Sequence, residues 1–329
     1  MLSGSCPICG GINTAHAFTA VDLNWKTQGS FPYIRCNDCG ALFRPAGSTI
    51  PAGAYPRGYG SFMSPESPLL QSLIDSIANR RRAAFVESVC KPGTVLDIGC
   101  GSGFFLTYLR SRGWQVYGLE TAEEHVAFAR ETLGLSHVLM QAWPPTSGNF
   151  RNYDAVSMMH LIEHMPDPII ALTAAHQSLC KGGVLLLETP NIDSWPARIF
   201  GPQWVTLDAP RHMVLFGPKS LARCLRSAGF EEIRMITYSP STMEWSESLR
   251  YLLNKKRQKD RGDALPVAAI PPIVKDDQPD DTPRQKLLKP VHTAERLLYR
   301  CINHFADTLK QGSNILTVAF NSSRLDERN

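Results

Sequence analysis

Hydrophobic and polar positions change rhythm twice along this chain. Up to about Gly60, apolar residues are scattered among Gly, Pro, Cys and aromatics with no helical period. From about Ser64 to Ser239, short apolar runs alternate with amphipathic stretches. The pattern predicts helices over Glu66 to Val89, Phe104–Arg112, Glu123–Leu133, Pro168–Leu179 and Lys219–Ala228. It predicts strands over Thr94–Ile98, Gln115–Leu119, His137–Met140, Tyr153–Met158, Gly183–Glu188 and Glu231–Tyr238. Strands separated by helices imply βαβ units, an α/β class and a mainly parallel sheet. From Pro240 a helix-like stretch runs to Leu253, and a Pro/Asp-rich linker covers Ala264–Thr282. A second helical stripe then carries Leu287, Val291, Ala294, Leu298, Cys301, Phe305 and Leu309, and Asn314–Phe320 reads as a last strand. The divisions are therefore 1–60, 61–239, 240–312 and 313–329.

Composition narrows the class. The 329 residues are 43% hydrophobic and 19% charged, which excludes wholesale disorder. A formal net charge of +4 is too small for a dedicated nucleic-acid binder. No apolar run approaches the ~18 residues that cross a bilayer. The first residues lack the basic and apolar regions of a signal peptide. Nine cysteines, five of them scattered singly, suit a reducing compartment better than a disulfide framework. These features point to the cytoplasm.

The most informative stretch is Thr94-Val95-Leu96-Asp97-Ile98-Gly99-Cys100-Gly101-Ser102-Gly103-Phe104-Phe105. An apolar strand ends in a glycine turn that opens a helix, so a ligand can approach the backbone and the free N–H groups. The glycines fall as G-x-G-x-G, with Phe104 where a dinucleotide fold places its third glycine. Asp97 sits in the strand end, where a buried carboxylate needs a cationic or hydrogen-bonding partner. Glu120 ends the next strand and is placed to accept two ribose hydroxyls.

With these features residues 55–239 resemble the class I S-adenosylmethionine-dependent methyltransferases. The resemblance extends to Tyr153-Asp154-Ala155-Val156-Ser157-Met158-Met159-His160-Leu161-Ile162-Glu163-His164 and to Lys181-Gly182-Gly183-Val184-Leu185-Leu186-Leu187-Glu188. It implies a Rossmann-like, doubly wound, mainly parallel seven-stranded sheet, from which the helical stretches of 240–312 depart as an insertion before the last strand. It also implies S-adenosylmethionine as cofactor, held by Asp97, Gly99, Cys100, Gly101, Gly103, Glu120, Gln141, Ala142, Met159 and His160. One departure stands out. The third strand ends in Met140-Gln141-Ala142-Trp143, not in an acid for the adenine amino group, so Gln141 is left as a neutral acceptor.

His160-Leu161-Ile162-Glu163-His164 matches the inverted zinc-protease motif. That motif needs a surrounding helix, whereas this one follows a strand and is closed by Pro166 and Pro168. Cys6-Pro7-Ile8-Cys9-Gly10 and Cys36-Asn37-Asp38-Cys39-Gly40 form two knuckles whose four thiolates, Cys6, Cys9, Cys36 and Cys39, suit a structural zinc ion. Redox dithiols are the rival reading. A zinc-ribbon-like module ahead of this core resembles methyltransferases of bacterial surface-polysaccharide gene clusters, which implies a sugar, glycan or lipid-linked glycan acceptor.

A sugar hydroxyl needs a base near neutrality, and His suits that role. His212 on the Asp208-Ala209-Pro210-Arg211-His212 segment is the first candidate and His164 the second. Tyr59, Glu188, Asn191 and Asp208 are candidate substrate contacts, and Arg211 is a candidate for a carboxylate or phosphate. An RNA methyltransferase and a non-catalytic zinc-ribbon binding protein remain as alternatives. Between 245 and 261, an apolar stripe (Trp245, Leu249, Leu252, Leu253) precedes Lys255, Lys256, Arg257, Lys259 and Arg261. Such a face suits either peripheral contact with the inner face of a membrane or a helical pair over the cleft.

Overall fold

The computed structural model describes residues 4–55, 74, 76–145, 150–260 and 297–321, with the backbone alone for 256–260. The N-terminal segment holds β1 (Thr14–Ala20), β2 (Phe31–Cys36) and β3 (Leu42–Phe43). α1 (Ile77–Glu87) follows, capped by Ser76 Oγ accepting from the Asn79 N–H. The core alternates β4 (Thr94–Ile98), α2 (Phe104–Ser111), β5 (Gln115–Glu120), α3 (Glu123–Glu131), β6 (Val138–Met140) and β7 (Tyr153–Met159). It continues with α4 (Pro168–Ser178), β8 (Leu179–Pro190), α5 (Trp195–Phe200), β9 (Val214–Leu215), α6 (Pro218–Ser227) and β10 (Ile233–Tyr238). α7 (Met243–Asp260), helix α8 over 297–308 and β11 (Asn314–Phe320) complete the chain.

Seven strands make the central sheet in the order β10-β11-β8-β7-β4-β5-β6, with β11 antiparallel to both neighbours. The pairs β4–β5, β5–β6, β4–β7 and β7–β8 are parallel. The expected Rossmann-like fold with a mainly parallel seven-stranded sheet is therefore present. Side chains alternate across it with the strand period of two. Leu96 and Ile98 pack on one face and Val95 on the other. Burying each such side chain contributes roughly 1.5–3 kcal/mol. The chain leaves β4 toward β5 and later returns to β7 on its other side, which opens a crevice at the strand C-termini.

Two features differ from the sequence pattern. β8 begins at Leu179 rather than Gly183, because pairing jumps from Tyr153↔Leu179 to Ala155↔Val184 and residues 180–183 bulge out between them. The N-terminal segment is not a separate bead. Its sheet, β1-β2-β3-β9, is completed by a core strand. Ile34, Phe43, Cys6 and Cys36 share one cluster with Leu96, Ile98 and Leu187. α7 also turns inward: Trp245 and Tyr251 are buried, and Trp245 stacks on Tyr299 and donates to Asn303 Oδ1. Leu249 and Leu252 pack against a separate cluster that holds Trp245, Tyr299, Phe200 and Trp204, while Leu253 is exposed. Most of the apolar stripe is thus covered by protein rather than left open to a membrane. The basic side chains of 256–261 and the linker 264–282 lie outside the described residues. Among those described, no helix is long and apolar enough to cross a membrane.

Candidate active site

The crevice holds a cavity of about 1270 Å³. Asp97, Gly99, Cys100, Gly101, Glu120, Gln141, Ala142, Met159 and His160 all line it; Gly103 does not. Gly103 instead caps α2 at φ +82°, where an added Cβ would lie 2.4 Å from Leu135 Cδ1. Gly101, at φ +53°, donates its N–H to Glu120 Oε2 at 2.9 Å. Glu120 Oε1 accepts from the N–H groups of Thr121 and Ala122, so this carboxylate joins the glycine loop to the end of β5. Asp97 is buried, and Ser157 Oγ donates to its Oδ1 at 2.6 Å. Burial pushes its carboxyl up to about 7, against the opposing pull of Ser157 and Arg82.

Beyond Met159 the wall turns polar. His160 takes a left-handed conformation at φ +52°, and its imidazole lies 3.3 Å from Glu163 Oε1 and 3.0 Å from Glu188 Oε1. Burial opposes its charge, but the Glu188 and Glu163 carboxylates hold its pKa up at about 9. Glu188 itself does not line the cavity. It pairs with Arg82 Nε at 2.6 Å and accepts from Tyr238 Oη and Asn314 Nδ2. Burial works against ionisation there, yet Arg82 and His160 keep Glu188 well below the usual carboxylate range. Its four partners leave it as an anchor rather than the substrate contact expected from sequence.

The expected base candidates meet. His164 and His212 pack ring to ring at 4.7 Å and both line the cavity, together with Asp208. Among the described residues His212 Nδ1 is buried without a hydrogen-bond partner, and its Nε2 lies 4.0 Å from both Glu163 Oε1 and Asp208 Oδ2. Burial and the neighbouring His164 bring its pKa down to about 4, so the ring is neutral at pH 7. His164 Nδ1 donates to Arg211 O and lies 3.2 Å from Tyr55 Oη. One donor atom each from Glu163, His164 and His212 falls within 4.8 Å of the others, a spacing that also suits a divalent cation.

Arg211 departs from its expected role as an anion contact. It is fully buried, does not line the cavity, and donates to Asp22, Asp208 and Ala54 O. Asn191 is likewise enclosed, with Nδ2 donating to Gly312 O. Tyr59 lies outside the described residues. Sequence reasoning missed Asn24, Arg82, Ser102, His125, Thr206 and Glu247, which also line the cavity. Ser102 Oγ and His125 Nδ1 meet at 2.7 Å, tying the glycine loop to α3. Ser102 lies within the glycine turn itself and could have been read there; the others come from separate elements, so no local spacing announces them.

The four cysteine sulfurs gather at one point. Cys6 and Cys39 Sγ are 3.6 Å apart, and Cys9 and Cys36 Sγ are 3.5 Å apart. A tetrahedral ion with bonds of ~2.3 Å has sulfur–sulfur edges of ~3.8 Å, so the donor set fits zinc.

A family model described as a methyltransferase domain matches residues 71–234. The chain is 28% identical over 181 residues to a ubiquinone biosynthesis O-methyltransferase of Thiobacillus denitrificans, covering 50% of this chain and 78% of that one. It is 31% identical over 173 residues to the protein of the same name from Dinoroseobacter shibae, covering 48% and 68%. A solved S-adenosylmethionine-dependent methyltransferase of Thermotoga maritima aligns with a TM-score of 0.46 at 17% identity, covering 76% of this chain and 92% of that one.

Proposed function

The chain belongs to the S-adenosylmethionine-dependent methyltransferases, and on that premise we propose that it methylates a hydroxyl of a small uncharged acceptor, with His212 taking the proton. The residues fit the cofactor. Gly101 and the neighbouring turn leave the backbone open, Asp97 would take the ammonium group and Glu120 the ribose hydroxyls. Gln141 and Ala142 would border the adenine. When bound, S-adenosylmethionine supplies an electrophilic methyl group on a sulfonium centre. The chain's own work is to align the acceptor, exclude water and remove a proton.

The observation that carries the reading is the neutral His212 in the cavity wall between two carboxylates. A neutral imidazole is open to a proton at pH 7, but burial makes it a weaker base than the near-neutral one expected from sequence, and Glu163 and Asp208 offset only part of that by favouring the imidazolium. At about 4 Å and an effective dielectric near 20, each contributes on the order of 4 kcal/mol at most. Charge supports an uncharged acceptor. Among the described lining residues Arg82 is the one Lys or Arg, and Glu188 already holds it. A phosphate or carboxylate on the acceptor therefore meets mainly acids, which also speaks against RNA. The relatives' name points to oxygen as the methylated atom. A sugar or glycan hydroxyl is one such acceptor. The cysteine cluster adds a structural zinc ion.

The test is transfer of label from tritiated S-adenosylmethionine to lipid, glycan and RNA extracts, with and without chelator. Label in a neutral lipid or glycan fraction, lost in His212→Gln, is the expected result. Label in RNA, or full activity of His212→Gln, would overturn it. Activity that chelation removes and magnesium restores would assign the cavity histidines to a cation instead.

A further inference from the structure

His212 reaches the cavity on a segment that the N-terminal module holds from behind. We propose that the buried Asp22–Arg211–Asp208 ion network is a positioning device through which this module orients His212. Asp22 is then a positioning residue for a base it does not touch. The inference rests on the reading of His212 as the base.

Asp22 is fixed before it meets its partner: its carboxylate accepts from the N–H groups of Asn24, Trp25 and Thr27. Arg211 Nη1 and Nη2 then donate to Asp22 at 2.9 and 2.8 Å. The same guanidinium donates through Nε and Nη2 to Asp208 at 2.8 and 2.7 Å. Asp208 stands in the left-handed region at φ +43°, a conformation unfavourable for a non-glycine residue unless its surroundings hold it. Its carbonyl accepts from the His212 N–H at 3.3 Å, and Asn24 Nδ2 reaches its Oδ1 at 2.6 Å. From β2, Tyr33 Oη donates to His212 O at 2.9 Å. The module thus grips both ends of the turn that carries the imidazole.

Attachment alone does not require this. Apolar contacts already join the module to the core, and buried ion pairs can often be replaced by apolar residues with no loss of stability. What two carboxylates around one guanidinium add is a fixed geometry and one net negative charge beside the imidazole. That charge favours the imidazolium formed as the proton moves.

Two variants test the device. Asp22→Asn keeps the shape and removes the charge, and Tyr33→Phe removes one hydrogen bond without disturbing charge. With the label-accepting extract fraction as probe, maximal velocity should fall tenfold or more in Asp22→Asn and severalfold in Tyr33→Phe. Half-saturation by S-adenosylmethionine and its calorimetric affinity should not change. At constant pH, the imidazole carbon–proton signal of His212 should move in both, while those of His16 and His304 stay. Placed in His212→Gln, neither variant should slow the reaction further. Unchanged velocity, or losses that multiply with His212→Gln, would overturn the inference while leaving the base intact. Full activity of His212→Gln itself would overturn the reading beneath it. If Asp22→Asn does not fold, Tyr33→Phe decides alone.

Discussion

Ser157 Oγ on β7 donates a 2.6 Å hydrogen bond to Asp97 Oδ1 at the end of β4, so this carboxylate is oriented before any ligand arrives. Burial sets its pKa near 7, well above the ordinary aspartate value. Between those two values the folded state holds a proton that the unfolded state lacks. Its contribution to stability is therefore present in acid and lost as pH rises through about 7. A bound ammonium favours the charged form. S-adenosylmethionine binding should release a proton below pH 7, and affinity should fall on acidification by up to about tenfold per unit. Asp97→Asn should weaken binding and abolish this dependence. Calorimetry in two buffers of different ionisation enthalpy measures the proton directly, and no release at pH 6 would remove Asp97 from the ammonium position.

Glu120 works at two tasks, holding the Gly101 N–H and facing the cavity. Glu120→Ala should lower cofactor affinity by one to two decades, or about 1.5–3 kcal/mol for hydrogen bonds to a charged group. Glu120→Gln should recover part of it. Equal affinity in all three proteins by calorimetry would exclude the ribose assignment.

The Arg82–Glu188 pair makes a stability prediction. Removing Arg82 leaves a buried carboxylate with His160 as its remaining cation. Truncating one partner of a buried pair typically costs 3–5 kcal/mol, so Arg82→Ala should lower the midpoint in urea strongly. The double change Arg82→Met with Glu188→Gln should restore much of it. A loss under about 1 kcal/mol in the single variant would mean that the pair is dispensable.

The glycine-turn side of the cavity was legible because it is local. One strand, one glycine turn and the end of the next strand carry Asp97, Gly101 and Glu120, and spacing along the chain is enough to find them. The side lined by His164, Asp208 and His212 was only partly so. His212 and His164 could be proposed from the segments around them, but their meeting depends on the 208–213 segment lying against the turn after β7, where the Met213 N–H donates to Glu163 O. Arg211 looked like an anion contact because its partner Asp22 lies 189 residues away, and only folding reveals that the guanidinium is already held. Glu188 misled for the same reason, since Arg82 and Tyr238 come from elements far apart in sequence. β9 has two residues, too short for a periodic pattern, yet it joins the module to the core.

His212 carries the pH signature of the proposed mechanism. Burial and His164 lower its pKa to about 4, so its folded-state contribution is present above the ordinary histidine value and lost as pH falls through 4. Turnover should stay level from pH 8 to about 5, where an unperturbed histidine would already be charged. His212→Gln should reduce turnover by ~10² or more with cofactor affinity intact. A rate that halves near pH 6.5 would show that an ordinary histidine, not this one, takes the proton.

Metal removal tests how far the module's influence reaches. Four sulfurs at one point predict one zinc per chain by elemental analysis, and for such a site binding energy is folding energy. A free-standing module would simply come apart on chelation and leave the core alone. Here β3 pairs with β9, and Tyr33 and Asp22 hold the segment from 208 to 212, so the loss should spread. Hydrogen exchange after chelation should therefore accelerate in residues 6–43 and 208–215 together, while β4 and β5 keep their protection. Faster exchange confined to 6–43 would mean that the module and the base-bearing segment are independent. Protein isolated without chelator that holds no zinc, with a Cys6–Cys9 or Cys36–Cys39 disulfide by mass spectrometry, would replace the structural ion with redox chemistry at the same four thiols.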